Sequence, residues 1–289
     1  MIYKLSRKTF GTKQIENFLE IETSKPIQDI CYVNDYGLVF STDRFLGLIT
    51  PFKNIIFPWM GEEKELISDG TKPSFGLLSG MDYNPKHKIL LVAENGGRNV
   101  RAIDLINNYT TSLIQKTNAT YMESLLKKTN ADAFAHLHCF SPNKFLILTP
   151  SLRKCFMFKD SIISHVAGDG KCRFTTGAGA KNSSIGLPSG MAVQNNKIYI
   201  SDQVRNVIRA IEGDSISLAC GHPHKDTLNS PTKIVIAKNA MYILCSDSIR
   251  TFITDSNIGG DKPTYQSDNI QSIAADEESG LYILEEQNA

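Results

Sequence analysis

The stretch from Leu187 to Ile211 constrains the fold more than any other part of this chain, because it reads as one repeat unit. Pro188-Ser189-Gly190 is turn chemistry, with Pro presetting φ and Gly accepting a positive value. Met191-Ala192-Val193 is a short apolar run of the kind buried on both faces. Gln194-Asn195-Asn196-Lys197 is a polar hairpin turn, and Ile198-Tyr199-Ile200 is a second strand closed by Ser201-Asp202. Residues Val204 to Ile211 give a third strand. The unit is an antiparallel meander with no helix between its strands.

Fainter copies recur along the chain. Ile30-Cys31-Tyr32 leads through a polar turn to Leu38-Val39-Phe40, and Met81-Asp82-Tyr83 leads to Ile89-Leu90-Leu91-Val92. His138-Cys139-Phe140 precedes Phe145-Leu146-Ile147-Leu148. Ile234-Val235-Ile236 precedes Met241-Tyr242-Ile243-Leu244, and Ile273-Ala274-Ala275 precedes Leu281-Tyr282-Ile283-Leu284. The anchors at 30, 81, 138, 191, 234 and 273 are separated by 51, 57, 53, 43 and 39 residues. Such spacing matches propeller blades of roughly 40–50 residues. Six anchors predict an all-β, six-bladed β-propeller of four-stranded antiparallel blades, one domain over 1–289. The last copy has only two strands before the sequence ends. Tyr3–Ser6 and Phe18–Ile21 are strand-like and otherwise unassigned, so they are expected to complete the last blade and close the ring. Residues 106–130 break the rhythm and read as a loop insertion, with a short helix expected over 120–130.

Within this frame, Val166-Ala167-Gly168-Asp169-Gly170, Gly177-Ala178-Gly179, Leu187-Pro188-Ser189-Gly190, Ile198-Tyr199-Ile200-Ser201-Asp202 and Asn206-Val207-Ile208-Arg209 together resemble an NHL repeat. The family places an apolar residue, Pro and Gly before an apolar strand, then a tyrosine–valine–alanine–aspartate strand and an Asn-His-x-Ile-Arg element. Here the last element lacks the His and is one residue shorter. The match is strong over 166–211 and moderate at Leu78–Ile103, and elsewhere only the rhythm is kept. The resemblance implies a six-bladed propeller that serves as a binding platform for proteins or RNA; some relatives are lyases or hydrolases.

Net charge of +1 on 289 residues gives no global pull toward anionic partners. No apolar run is long enough to span a membrane, and the N-terminus lacks the apolar core of a signal peptide. The six scattered Cys residues read as free thiols in a reducing compartment, so a cytoplasmic or other intracellular location is expected.

Candidate chemistry is sparse. Cys220-Gly221-His222-Pro223-His224 is the densest set of metal-type ligands, but a structural zinc site needs four and no second cluster stands at a known spacing. His136 and His138 share an inner strand and face the channel or pack within the blade. The lyase relatives need several His and acidic residues at the channel-facing strand ends. This chain offers Pro26, Ser79-Gly80, Ser189-Gly190 and Thr232 there, which cannot hold a metal. Neither a cofactor nor a metal is expected. The glycines at 168–170 and 177–179 lack the following helix that a phosphate loop needs. Arg98, Arg101, Arg205, Arg209 and Arg250 recur near third strands. They form either an RNA-binding face or ion pairs inside blades, with Glu94 and Asp202 as partners.

The sequence therefore predicts a non-catalytic, NHL-like propeller that docks protein partners. The loops expected to bind are 76–80, 186–190 and 221–232, with Ser79, Gly80, Ser189, Gly190, His222, His224 and the arginines Arg98, Arg101, Arg205 and Arg209 as candidate contacts. An RNA-binding propeller, a structural subunit of a large assembly, and a degenerate hydrolase or lyase with a channel-centred site are the alternatives.

Overall fold

Runs such as Ile89–Val92 are apolar at consecutive positions, a pattern suited to a strand covered on both faces. The computed structural model describes residues 1–10, 12, 14–63, 67–94, 99–114, 136–222, 228–254, 258–276 and 280–287, with backbone only at 178 and 258–262. Two strands, β1 (Ile2–Thr9) and β2 (Ile15–Glu22), precede the repeats. Blade 1 is β3 (Asp29–Val33), β4 (Gly37–Ser41), β5 (Leu46–Ile49) and β6 (Ile55–Met60). Blade 2 is β7 (Leu78–Asn84), β8 (Ile89–Glu94), β9 (Asn99–Asp104) and β10 (Tyr109–Ser112). Blade 3 is β11 (His136–Ser141), β12 (Lys144–Thr149), β13 (Lys154–Lys159) and β14 (Ile162–Ala167).

Blade 4 carries a short fifth strand. It comprises β15 (Gly177–Ala178), then β16 (Pro188–Gln194), β17 (Lys197–Asp202), β18 (Val207–Glu212) and β19 (Ser215–Gly221), with β15 on the outer edge beside β19. Blade 5 is β20 (Lys233–Ala237), β21 (Ala240–Leu244), β22 (Ser248–Ile253) and β23 (Ile258–Gln266). Blade 6 has only β24 (Ile270–Ala275) and β25 (Gly280–Gln287) from the C-terminal side; β1 and β2 supply its outer half in the order β2-β1-β25-β24. The inner strands β3, β7, β11, β16, β20 and β24 neighbour one another in a closed circle. The chain is a six-bladed β-propeller, closed as the two N-terminal strand-like segments predict.

The core is divided among the six interfaces between blades. Leu90 and Val92 of β8 pack toward blade 1, with Leu46, Phe75 and Ile103. Leu91 and Ala93 of the same strand pack toward blade 3, with Phe145 and Ile147. Alternation therefore sends successive apolar side chains into two different cores, which is why second strands read as unbroken apolar runs. At about 25 cal/mol per Å² of apolar surface buried, each interface is a principal source of stability.

Three sequence expectations shift in register. Pro188-Ser189-Gly190 lies at the start of β16 rather than in a turn, and the glycine with a positive φ is Gly186, at 70. The third strand of blade 4 begins at Val207, because 203–206 form a turn in which Asn206 takes φ 56. Within the insertion expected over 106–130, Tyr109–Ser112 is instead the fourth strand of blade 2, paired with Arg101–Asp104. The helix expected over 120–130 lies outside the described residues.

Deleting residues 1–22 would strip β25 of its partner and leave an open sheet edge. Thermal unfolding of the truncated protein is expected to begin at least about 10 °C lower, with soluble aggregates on size exclusion. Unchanged melting would contradict closure by these strands.

Candidate functional site: the central channel

Each inner strand starts near the channel axis and runs along it, so equivalent positions of six blades meet in rings. At one mouth, Gln28, Ser79, His136, Ser189, Thr232 and Gln271 line a cavity of ≈ 260 Å³. Farther along the strands a second cavity of ≈ 230 Å³ is lined by Asn34, Asp82, Tyr83, His138, Val193 and Ile236, among others. Asp29, His136 and Lys233 border both.

A buried charge network crosses this boundary. The Lys233 ammonium from blade 5 pairs with Asp29 of blade 1, and also donates to the Ile30 carbonyl at 2.9 Å and to Ser272 Oγ of blade 6 at 3.1 Å. Ser272 Oγ donates to Asp29 Oδ1 at 2.8 Å, and the Ile30 N–H donates to the same oxygen at 2.9 Å. Asp29 Oδ2 accepts the Met81 N–H of blade 2 at 3.1 Å. All three ammonium hydrogens and both carboxylate oxygens are thereby used, the condition under which a buried pair is tolerated.

A second acid faces the channel. Asp82 Oδ2 accepts the Cys139 N–H at 2.7 Å and stands 3.3 Å from His138 Nδ1. Burial raises the Asp82 carboxyl above the usual carboxylate range, opposed by His138 and by backbone donors. Burial also lowers His136 from 6.5 to about 4, with Asp29 opposing and Lys233 adding to the fall, so this imidazole is neutral. The channel thiol Cys31 is pushed well up by burial, then by the Asp82 charge. Cys155 and Cys220 are raised to about 12 by burial. These sulfurs stay as thiols and are poor nucleophiles. All six cysteines are free.

Of the residues singled out from sequence, the fold brings Ser79 and Ser189 together on one mouth. Both are engaged: Ser79 Oγ donates to the Ala93 carbonyl at 3.3 Å, and Ser189 Oγ to the Pro231 carbonyl at 2.7 Å. Gly80 is buried in β7. Gly190 is a close-approach glycine, since a Cβ there would meet the Thr232 carbonyl oxygen at 2.3 Å. His222 is exposed after Gly221; His224 and Arg98 lie outside the described residues. Among the described residues no three His, Cys, Asp or Glu groups stand close enough to hold a metal.

Two of the candidate arginines are buried. Arg101 and Arg209 are both 0% exposed, so neither guanidinium reaches a surface. Arg101 bonds Glu94 at 2.8 Å and Asp69 at 2.8 Å and lies over the Phe75 ring. Arg209 occupies the equivalent place in blade 4, stacked 4.3 Å over Phe174 with Asp202 as its charge partner. Glu94 and Asp202 also hold the incoming loop, accepting the Gly76 and Leu187 N–H groups. Arg205 is half-buried, its Nη2 donating to the Cys172 carbonyl at 3.4 Å. Three channel residues, Asp29, Asp82 and Lys233, went unnoticed in the sequence, where each is a lone polar residue beside a strand core.

No protein-family model matches the chain, nor does any curated protein sequence. Solved structures do match. A catalytically inactive virginiamycin B lyase from Staphylococcus aureus with quinupristin aligns over 99% of this chain and 100% of its own, at 12% identity and TM-score 0.57. A nidogen/laminin complex gives TM-score 0.64 at 9% identity, over 96% and 99% of the two chains. An auxiliary nutrient binding protein from Bacteroides thetaiotaomicron gives 0.56 at 13%, this chain covering 94% of itself and 62% of that protein. Likeness at such identities is likeness of fold: the class is the six-bladed β-propeller.

Two outcomes test the channel chemistry. Asp29→Ala leaves the half-buried Lys233 ammonium without its carboxylate and is expected to lower stability in urea unfolding by about 1–3 kcal/mol, whereas Asp29→Asn with Lys233→Met recovers part of the loss. His136 takes up a proton below about pH 6.5 only when unfolded, so its contribution is full above that pH and is lost as pH falls toward 4. His136→Gln should therefore flatten the wild-type decline in unfolding free energy across that window.

Proposed function

We propose that this propeller is an NHL-like, non-catalytic platform that docks a protein partner through the outer strand of blade 1. The observation that carries the reading is the exposure of β6 and the turn before it. Phe52 is 88% exposed, Ile55 41%, Ile56 44% and Phe57 38%. Four large apolar side chains within six residues are more than the scattered surface hydrophobics of an ordinary monomer. Trp59 lies at the end of the same strand, tilted against Tyr36 at 5.9 Å. Aromatic and aliphatic anchors of this kind dominate the energetics of protein interfaces.

The geometry favours side-chain docking over strand addition. Pro58 removes one backbone donor from the edge that β6 presents. Phe57 is held by Phe40 at 5.6 Å and Phe45 at 6.1 Å, so little rotamer freedom is lost on binding. The burial of Arg101 and Arg209 weighs against the RNA reading, because phosphate contacts need accessible cations.

Affinity purification from the native source, with and without nuclease, tests the proposal. A protein partner is expected at fixed stoichiometry, resistant to nuclease, and its recovery should fall at least tenfold for Phe52→Ser with Ile56→Ser. Because both positions are exposed, each change should shift stability by no more than about 0.5 kcal/mol. Loss of the partner with nuclease, or full recovery with the double variant, would overturn it. A concentration-dependent dimer abolished by the variant would assign the surface to a second copy instead.

A further inference from the structure

The ≈ 230 Å³ channel cavity has two unlike halves. Blades 4, 5 and 6 give it an apolar wall that includes Met191, Val193, Ile234, Ile236 and Ile273. Blades 1, 2 and 3 supply Asp82, His138, His136 and Asn34 beside apolar residues such as Ile30 and Met81, and Lys233 of blade 5 reaches across to this side. The volume lies below the about 300–1,000 Å³ of pockets that hold drug-sized molecules, so it suits a compact ligand. The cavity communicates with solvent: Asn34 and Pro85 at its rim are exposed. The side chains of Asp82 and His138 remain 29% and 26% exposed although both sit on inner strands.

The charge of the site follows from the contacts. Among the described residues Lys233 is the only Lys or Arg on the lining, and it is engaged by Asp29, Ser272 and the Ile30 carbonyl. The Asp29–Lys233 pair is neutral as a unit. His136 is neutral, and among the described residues its ring has no hydrogen-bond partner. Of the two carboxylates on the described lining, Asp29 is matched by Lys233, whereas Asp82 faces His138 at 3.3 Å and no Lys or Arg. A carboxylate brought close would be repelled; a cation placed against Asp82 would offset the desolvation that this acid bears.

We propose that this cavity binds a small organic amine, its ammonium against Asp82 and its hydrocarbon body against the apolar wall of blades 4 to 6. The site shares no residue with the blade 1 rim, so it stands apart from the docking function proposed above. His138 positions the acid, and His136 offers a donor and an acceptor to a second polar group of the ligand.

The test uses three probes of one shape: cyclohexylamine, cyclohexanol and cyclohexanecarboxylate. Binding is read from the methyl resonances of methionine-labelled protein, since Met81 and Met191 line the cavity whereas Met1 and Met60 do not. Cyclohexylamine is expected to shift Met81 and Met191 saturably, the alcohol to bind at least tenfold more weakly, and the carboxylate to give no saturable shift. Asp82→Asn should lower amine affinity at least tenfold while the Met1 and Met60 signals stay in place. The absence of a saturable amine shift, or equal affinity for the carboxylate, would overturn the proposal. The comparison of probes needs only the wild-type protein, so it decides the matter even if Asp82→Asn does not fold.

Discussion

Eight cross-strand pairs between β1 and β25, from Ile2↔Gln287 to Thr9↔Gly280, hold the two ends of the chain in one sheet. Everything else depends on that pairing. An open arc of blades would leave one apolar blade face uncovered at each end, whereas a closed circle has six equivalent interfaces and none exposed. Tyr3 and Leu5 of β1 pack with Ile30, Phe40 and Leu284, so the closing strand also joins the core between blades 6 and 1. Closure is thus a packing event as well as a hydrogen-bonding one.

The blades are kept at a fixed distance by small, strict contacts. Gly186 bears a positive φ, and a Cβ there would fall on the Asp202 carboxylate; Gly190 lets the inner strand of blade 4 touch that of blade 5. The acid at the end of the second strand then performs two tasks at once in blades 2 and 4. It accepts from the loop entering the blade and balances the arginine of the third strand. This explains why Arg101 and Arg209 recur in the sequence without forming a surface. The guanidinium carbons of Arg101 and Arg209 stand 5.3 and 4.3 Å from the Phe75 and Phe174 ring centroids while the charge faces a carboxylate, a combination that suits the broad, forked guanidinium.

The architecture was legible in the sequence because its signal is local and repeated. Runs such as Leu38–Phe40 or Ile283–Leu284 announce strands covered on both faces, and the spacing of their copies counts the blades. The closing strands were legible by elimination. The channel was not. Asp29, Asp82 and Lys233 stand in three different blades, and only the circle brings them near one another. The outer strand of blade 1 was obscure for a different reason: Ile55-Ile56-Phe57 has the composition of a core strand, and composition alone does not tell a covered strand from a bare one. Ser79 and Ser189 lie at one channel mouth, but their hydroxyls donate to neighbouring carbonyls, which the sequence does not reveal.

The Lys233 side chain has a mechanical consequence. It starts in blade 5, passes blade 6 and ends on blade 1, bonding the intervening Ser272 on the way. Blade 6 is the seam where the two chain ends meet, and the lysine bridges it from the axle side. The Asp29–Lys233 contact joins inner strands of blades 1 and 5, so it spans the seam at the axis while β1 and β2 span it at the rim.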